Sequence, residues 1–338
     1  MQQLYEKAEE FLGRGHGVTL TVFMEGTSNA IDTITTQIGL FSRLCDAEAL
    51  PVDGSGLADA AGHYKLGFPG CGVSHGTLGT LFAVGLREQC GVVRSYLERF
   101  LQKGHSVKVN FVGFSRGGIG GLYLANELMT LKPEPGRVTL SMLLFDPVPG
   151  NSVWLARFDM AGAMNANRAM DVSTCSILDH VVALYPCEPL ESWTMHAPLI
   201  ATFPPTCRVE QDVVLGCHQR ALWLSPAPDS CLAFSRIRDF LEQSGSRVRR
   251  SSDAVAKSLD ISEAELAGML DRELALSAPS TRAVHSSNSG HTIERREAGV
   301  YLNRWHEQLS KRLGEASREA APGCYYYMLD ISVSTRHC

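Results

Sequence analysis

"VKVNFVGFSRGGIGGLYLANEL", residues 107–128, holds a serine with a glycine two places before it and another two places after: Gly113, Phe114, Ser115, Arg116, Gly117. A serine on an α/β sheet can act as a nucleophile only where a strand turns sharply into a helix. That turn lifts the hydroxyl above the sheet edge, and the flanking glycines make room for it. Here "VKVNFV" supplies the strand and "IGGLYLANEL" the helix. Gly118, Gly120 and Gly121 let that helix approach the sheet closely, with its N-terminal N–H groups available to polarise an oxyanion. A glycine-rich turn without chemistry is the plain alternative. The strand and helix, in the required order, favour the nucleophile.

On both sides of this stretch, short β-rich apolar runs alternate with helical patterns. Strand candidates are "GVTLTVFMEG" (17–26), "HYKLGFPG" (63–70), 107–112, "RVTLSMLLFDPVPG" (137–150), "HVVALYP" (180–186) and "QDVVLGCH" (211–218). Helical spacing is found over 78–104, after Arg116 and over 230–245. Six strands separated by helices or long loops predict an α/β-hydrolase-like, doubly wound, mostly parallel sheet with helices on both faces. A catalytic domain is expected over 1–245. From about 246 the texture changes. "SRVRRSS" reads as a basic connector, 260–276 as a helix in which Ser262 and Glu265 have capping-box spacing, 277–292 as a loop and 293–313 as a charged amphipathic helix. Residues 246–338 are therefore expected to form a helical appendage or lid packed on the same domain.

Composition narrows the function classes. The chain has 338 residues, 44% of them hydrophobic, enough for a sizeable core. Its formal net charge of -5 arises from mixed charges with no basic block, so no nucleic-acid partner is expected. The start, "MQQLYEKAEEFLGRG", is acidic where a secretory signal would be basic and then apolar, and no run approaches the roughly 18 apolar residues of a spanning helix. The expectation is a cytoplasmic protein, or one exported by a route without a classical signal; peripheral membrane contact stays open. The ten cysteines include no C-x-x-C pair, which suggests free thiols in a reducing compartment. Glu25 and Asp32 are too few carboxylates to define a metal site, so neither metal nor cofactor is expected.

A serine nucleophile of this kind needs a carboxylate and then a histidine later in the chain. Asp146 ends the strand after the serine's own, on the same sheet edge if the strands are parallel. An Asp-Pro turn former is the other reading of that residue. Two histidines compete for the base. His218 ends the run "DVVLGCH" and would face the catalytic edge, whereas His291 lies in the loop "SSNSGHT"; His218 is preferred. His75, in "GVSHGTLG", precedes the serine and reads as a pocket wall or substrate contact. At the end of the first strand candidate, "FMEGTSN" places the Gly26 and Thr27 amides at a turn where an oxyanion hole takes one donor, the second being the Arg116 amide. The Arg116 side chain could bind a substrate phosphate or carboxylate; a structural cation is the reading we prefer.

Taken in order, "VFMEGTSN", "VNFVGFSRGG", "LLFDPV" and "VVLGCH" resemble the catalytic domain of the type VI secretion phospholipase-effector family of α/β hydrolases, over roughly residues 18–245. "YKLGFPGCG" and "HVVALYPCEP" are similar to further segments of that family. The resemblance implies Ser115 as nucleophile, Asp146 as acid and His218 as base, and an ester or lipid substrate, phospholipid included. The sequence departs from the family at Glu25, where the family has Asp, at Gly118, where it has Ala, and at "HQRALW" after His218, where it has Ser-Asp-Val-Gly-Gly. Long membrane-docking insertions of the larger members are absent. Two other readings remain: a hydrolase-fold binding protein with an impaired base, and a thioesterase or peptidase using the same triad.

Overall fold

The computed structural model describes residues 17–56, 60–71, 73, 85–149, 169–188, 198–250, 253–276, 280–283, 292–295 and 303–314. Its centre is a seven-stranded sheet built from β1 (Gly17–Met24), β2 (Glu48–Ala49), β3 (Gly62–Phe68), β4 (Ser106–Phe114), β5 (Val138–Phe145), β6 (Leu178–Glu188) and β7 (Arg208–Cys217). The order across the sheet is β2-β3-β1-β4-β5-β6-β7 and every pairing is parallel. Because β1 and β4 lie in the middle and connections lead outward from them in both directions, the strand order reverses between them. Sites in open α/β sheets form at the C-terminal strand ends beside such a reversal.

Strands covered on both faces should be apolar throughout, and β4 and β5 are buried along almost their whole length. Phe111 points to one face, under the helix α3 (Arg116–Met129). Its neighbour Asn110 points to the other and donates to the Ser244 carbonyl and the Ser246 hydroxyl, just past α4 (Pro228–Gln243). On the first face α3 packs with α2 (Leu86–Gln102); on the second, α4 packs with α1 (Gln37–Leu44) through Phe41 and Phe234, whose ring centroids are 4.7 Å apart.

The later helices α5 (Ala254–Leu259), α6 (Glu263–Leu276) and α7 (Arg304–Arg312) join the same apolar core through Leu259, Leu266, Leu270, Trp305 and Leu309. Asn303 bonds the edge strand through the Val213 carbonyl at 2.8 Å. Ser262 receives the Glu265 N–H at 3.2 Å, one half of the expected capping box.

Several elements differ from expectation. Residues 293–313 do not form one helix: Thr292–Arg295 is a strand, β9, antiparallel to β8 (Ser280–Ala283), and among the described residues of that span the helix is α7. Hairpin pairing between the two segments outweighs the helical spacing of the charges. The segment before the serine's strand is helical from Leu86, and residues 78–84 lie outside those described. A seventh strand, β2, is only two residues long, too short for any period to register. Among the described residues eight cysteines are free thiols, and no group of three or more His, Cys, Asp or Glu side chains is placed to hold a metal.

The first turn of α3 passes directly over the end of β1. A Cβ at Gly117 would stand 2.3 Å from the Met24 carbonyl oxygen and 2.6 Å from that of Glu25, backbone atoms that cannot move aside. Gly117→Ala should therefore lose more than about 2 kcal/mol in urea unfolding, or fail to fold. Gly91→Ala, in an exposed part of α2 with no atom within 4 Å, should instead gain about 0.5–1 kcal/mol. A wild-type midpoint for Gly117→Ala would show that α3 can slide off β1.

Candidate active site

Ser115 links β4 to α3 with φ 56° and ψ -120°, a backbone conformation that side chains rarely adopt. It is held there on three sides. Its N–H donates to the Phe145 carbonyl at 3.0 Å, and its own carbonyl accepts from Ile119 and Val148. Asp146, the residue after β5, also has positive φ, at 44°, and its N–H donates to the Leu184 carbonyl at 2.8 Å. Both residues thus sit at neighbouring strand ends in strained geometry maintained by backbone bonds to the next strand.

His218 follows β7. Its Nδ1 lies 2.5 Å from Asp146 Oδ2 and its Nε2 lies 2.9 Å from Ser115 Oγ. The three side chains form a continuous hydrogen-bonded chain, and all three residues are buried. With Nδ1–H donating to the carboxylate, Nε2 is left as the acceptor for the serine proton, the tautomer that general-base catalysis requires. The Phe114 ring packs on the imidazole with centroids 4.8 Å apart and fixes its plane. Tyr185, buried close by, has its phenol pushed up by burial and then by the Asp146 charge.

The turn after β1 closes the site. The Gly26 N–H points at the Glu25 carboxylate, Oε2 at 3.2 Å, so it is engaged where an oxyanion donor was expected. Thr27 receives a hydrogen bond on its hydroxyl from Arg116 Nη1, which ties the guanidinium to the turn. Ser28 N–H donates to the Cys71 carbonyl and Gly70 N–H to the Asn29 carbonyl, stitching this turn to the segment after β3. His75 and His291 lie outside the described residues.

The role of Glu25 was not legible in the sequence beyond a weak cation-ligand reading. Only 1% exposed, it accepts from Thr36 Oγ1 at 2.5 Å and from the Gly39 N–H at 3.0 Å, besides Gly26. Burial raises its pKa from 4.5 to about 7, against the three hydrogen bonds that lower it. The "TTQ" before α1 is a recognisable N-cap, but its acceptor lies 11 residues away.

No protein-family model matches the sequence, and no curated protein does. Solved structures match the chain at low sequence identity. An uncharacterized protein from Pseudomonas aeruginosa superposes with a TM-score of 0.51 at 13% identity, over 81% of this chain and 53% of that one. The Tle1 effector bound to the VgrG spike of the type 6 secretion system gives 0.37 at 15% identity, over 61% and 50%. Est1E from Butyrivibrio proteoclasticus gives 0.37 at 8%, over 69% and 90%. The chain spans about half the length of the first two. Its fold is α/β-hydrolase-like: a parallel seven-stranded sheet flanked by helices, with a strand–serine–helix turn at its centre.

Because the folded state holds the Glu25 proton more tightly than the unfolded chain, its contribution is most favourable below about pH 4.5, declines as pH rises to about 7 and then stays low. Glu25→Gln carries no charge to desolvate. The stability of wild type minus that of this variant should therefore fall, by on the order of 3 kcal/mol, between about pH 5 and pH 8 in denaturant titrations. A difference that does not change with pH would show that Glu25 does not titrate there.

Proposed function

We propose that this chain is a serine hydrolase that cleaves carboxylic esters through an acyl-enzyme intermediate. The observation that carries the proposal is the Ser115–His218–Asp146 hydrogen-bonded chain at the C-terminal edge of the sheet. His218 Nε2 takes the Ser115 proton as Oγ attacks the ester carbonyl, and Asp146 stabilises the imidazolium. The tetrahedral oxyanion is held by the Thr27 and Arg116 amides, with the N-terminal dipole of α3 adding to them. Gly26, engaged by Glu25, shapes this turn. The imidazolium then protonates the leaving alcohol, and water, activated by the same histidine, releases the acid and restores the serine.

The impaired-base alternative rests on the altered segment after His218. That segment forms the short turn Arg220–Leu222, and both bonds of His218 coexist with it, which favours an active enzyme. Lipids or phospholipids are the substrates we propose, supported by the ordered resemblance of the four strand-end segments to the type VI secretion phospholipase effectors. Peripheral membrane contact and signal-independent export belong to the same proposal. No helix among the described residues is long and apolar enough to cross a membrane.

Hydrolysis of a mixed panel (short p-nitrophenyl esters, thioesters and phospholipid vesicles) tests this reading. Ser115→Ala and His218→Ala should each lower kcat by about 10³-fold or more, and Asp146→Asn by about 10²–10⁴-fold. His291→Ala should retain activity. Turnover undiminished in Ser115→Ala would reject the mechanism, and activity that survives His218→Ala but not His291→Ala would move the base. Thioesters cleaved faster than every oxyester would replace the substrate class.

A further inference from the structure

A histidine that must reach a serine and a carboxylate at once depends on the backbone that follows it, because the β7 ladder ends at Cys217, just before it. The residues after His218 form the turn Arg220–Leu222 and lead into α4. Part of that turn is held from its own side: Arg220 Nε donates to Asp229 at 2.7 Å, and Ser230 Oγ donates to the Arg220 carbonyl at 3.1 Å. The remainder is held from across the molecule.

Gln37, the first residue of α1, has no exposed surface. Its Nε2 lies 2.8 Å from the Ser230 carbonyl, 3.2 Å from that of Trp223 and 3.3 Å from that of Ala221. One amide group thus shares its two N–H bonds among three carbonyls that surround the histidine turn, and an apolar residue at 37 would leave those acceptors without it. The preceding residue, Thr36, caps α1 by accepting from the Ile38 and Gly39 amides and donates to Glu25, the neighbour of Gly26. Consecutive residues at a single helix end are therefore bonded to the turn after β1 and to the turn after His218.

We propose that Gln37 is a positioning residue that sets the His218 turn in register with Ser115, so that α1 braces the base and the Gly26–Thr27 turn as one unit. The inference rests on the serine-hydrolase reading. It also supplies the tie that "HQRALW" needs in place of the family's glycine-rich segment: a turn held by a remote amide.

The test is the second-order rate of Ser115 labelling by a fluorophosphonate probe across pH, together with the low-field proton resonance of the His218 Nδ1–H···Asp146 bond. Gln37→Met should label about 10- to 100-fold more slowly, with that resonance shifted or broadened, since a displacement near 1 Å is enough for such a loss. Asn110→Ala is the matched control. Asn110 is an equally buried amide bonded to Ser244 and Ser246, so its loss should lower the melting temperature while the labelling rate is kept. Should the methionine variant not fold, Gln37→Asn keeps an amide but stops one methylene short, and it should slow labelling in the same way. A wild-type rate and resonance in either folded Gln37 variant overturns the proposal, as does equal slowing in Asn110→Ala. A wild-type protein that does not label at all takes the serine-hydrolase reading down with it.

Discussion

The backbone of α3 crosses the end of β1 so closely that residue 117 has no room for a side chain. That one close passage sets the rest of the site. With Gly117 pressed on the Met24 and Glu25 carbonyls, the chain leaving β4 must turn within a single residue, and Ser115 takes the strained positive φ that results. The serine hydroxyl then stands over the sheet edge instead of lying along it. Such strain persists only where surrounding bonds over-determine it, and the three backbone bonds around Ser115 are that determination.

The same passage brings the turn after β1 against the helix N-terminus, so the choice of side chain at position 25 acquires consequences. A carboxylate here is buried and costs desolvation, and three donors offset part of that cost. Glutamate is one methylene longer than the aspartate of the resembling family. The added length fits what the structure uses it for, a reach beyond its own turn to the cap of α1, at Thr36 and Gly39. Glu25 is thus the residue that joins the first strand end to the next helix.

Much of this fold is written locally. Central parallel strands are covered on both faces, so β1, β4, β5, β6 and β7 announce themselves as near-continuous Val, Leu and Phe runs, and Ser115, Asp146 and His218 can be read as the polar residues that end them. What could not be read depends on partners far along the chain or on elements too short to show a period. Helix α1 contains Gly39 and follows a run of threonines, poor helix formers, and it is stabilised by Glu25 and by packing on α4. The strand β9 was hidden inside a charged helical pattern because its hairpin partner decides its state. Gln37 is an extreme case: its partners lie 184 to 193 residues away, and no local rule distinguishes a buried, bonded glutamine from a solvated one.

Phe114 shows how the two kinds of information meet. From the sequence it is merely the residue between the motif's glycine and its serine. In the structure its ring lies against the His218 imidazole at 4.8 Å and fills the space that a Cβ on Gly26 would need, at 2.4 Å. An aromatic ring here excludes water from one face of the imidazole, which strengthens the His218–Asp146 bond by lowering the local dielectric. It also requires glycine at 26, because any side chain there would collide with the ring. His218 is therefore confined by an apolar wall from β4, the strand that leads to Ser115, and by a polar tie from α1 to the turn that follows it. The wall comes from the residue beside Ser115, whereas the tie comes from Gln37 at the start of α1.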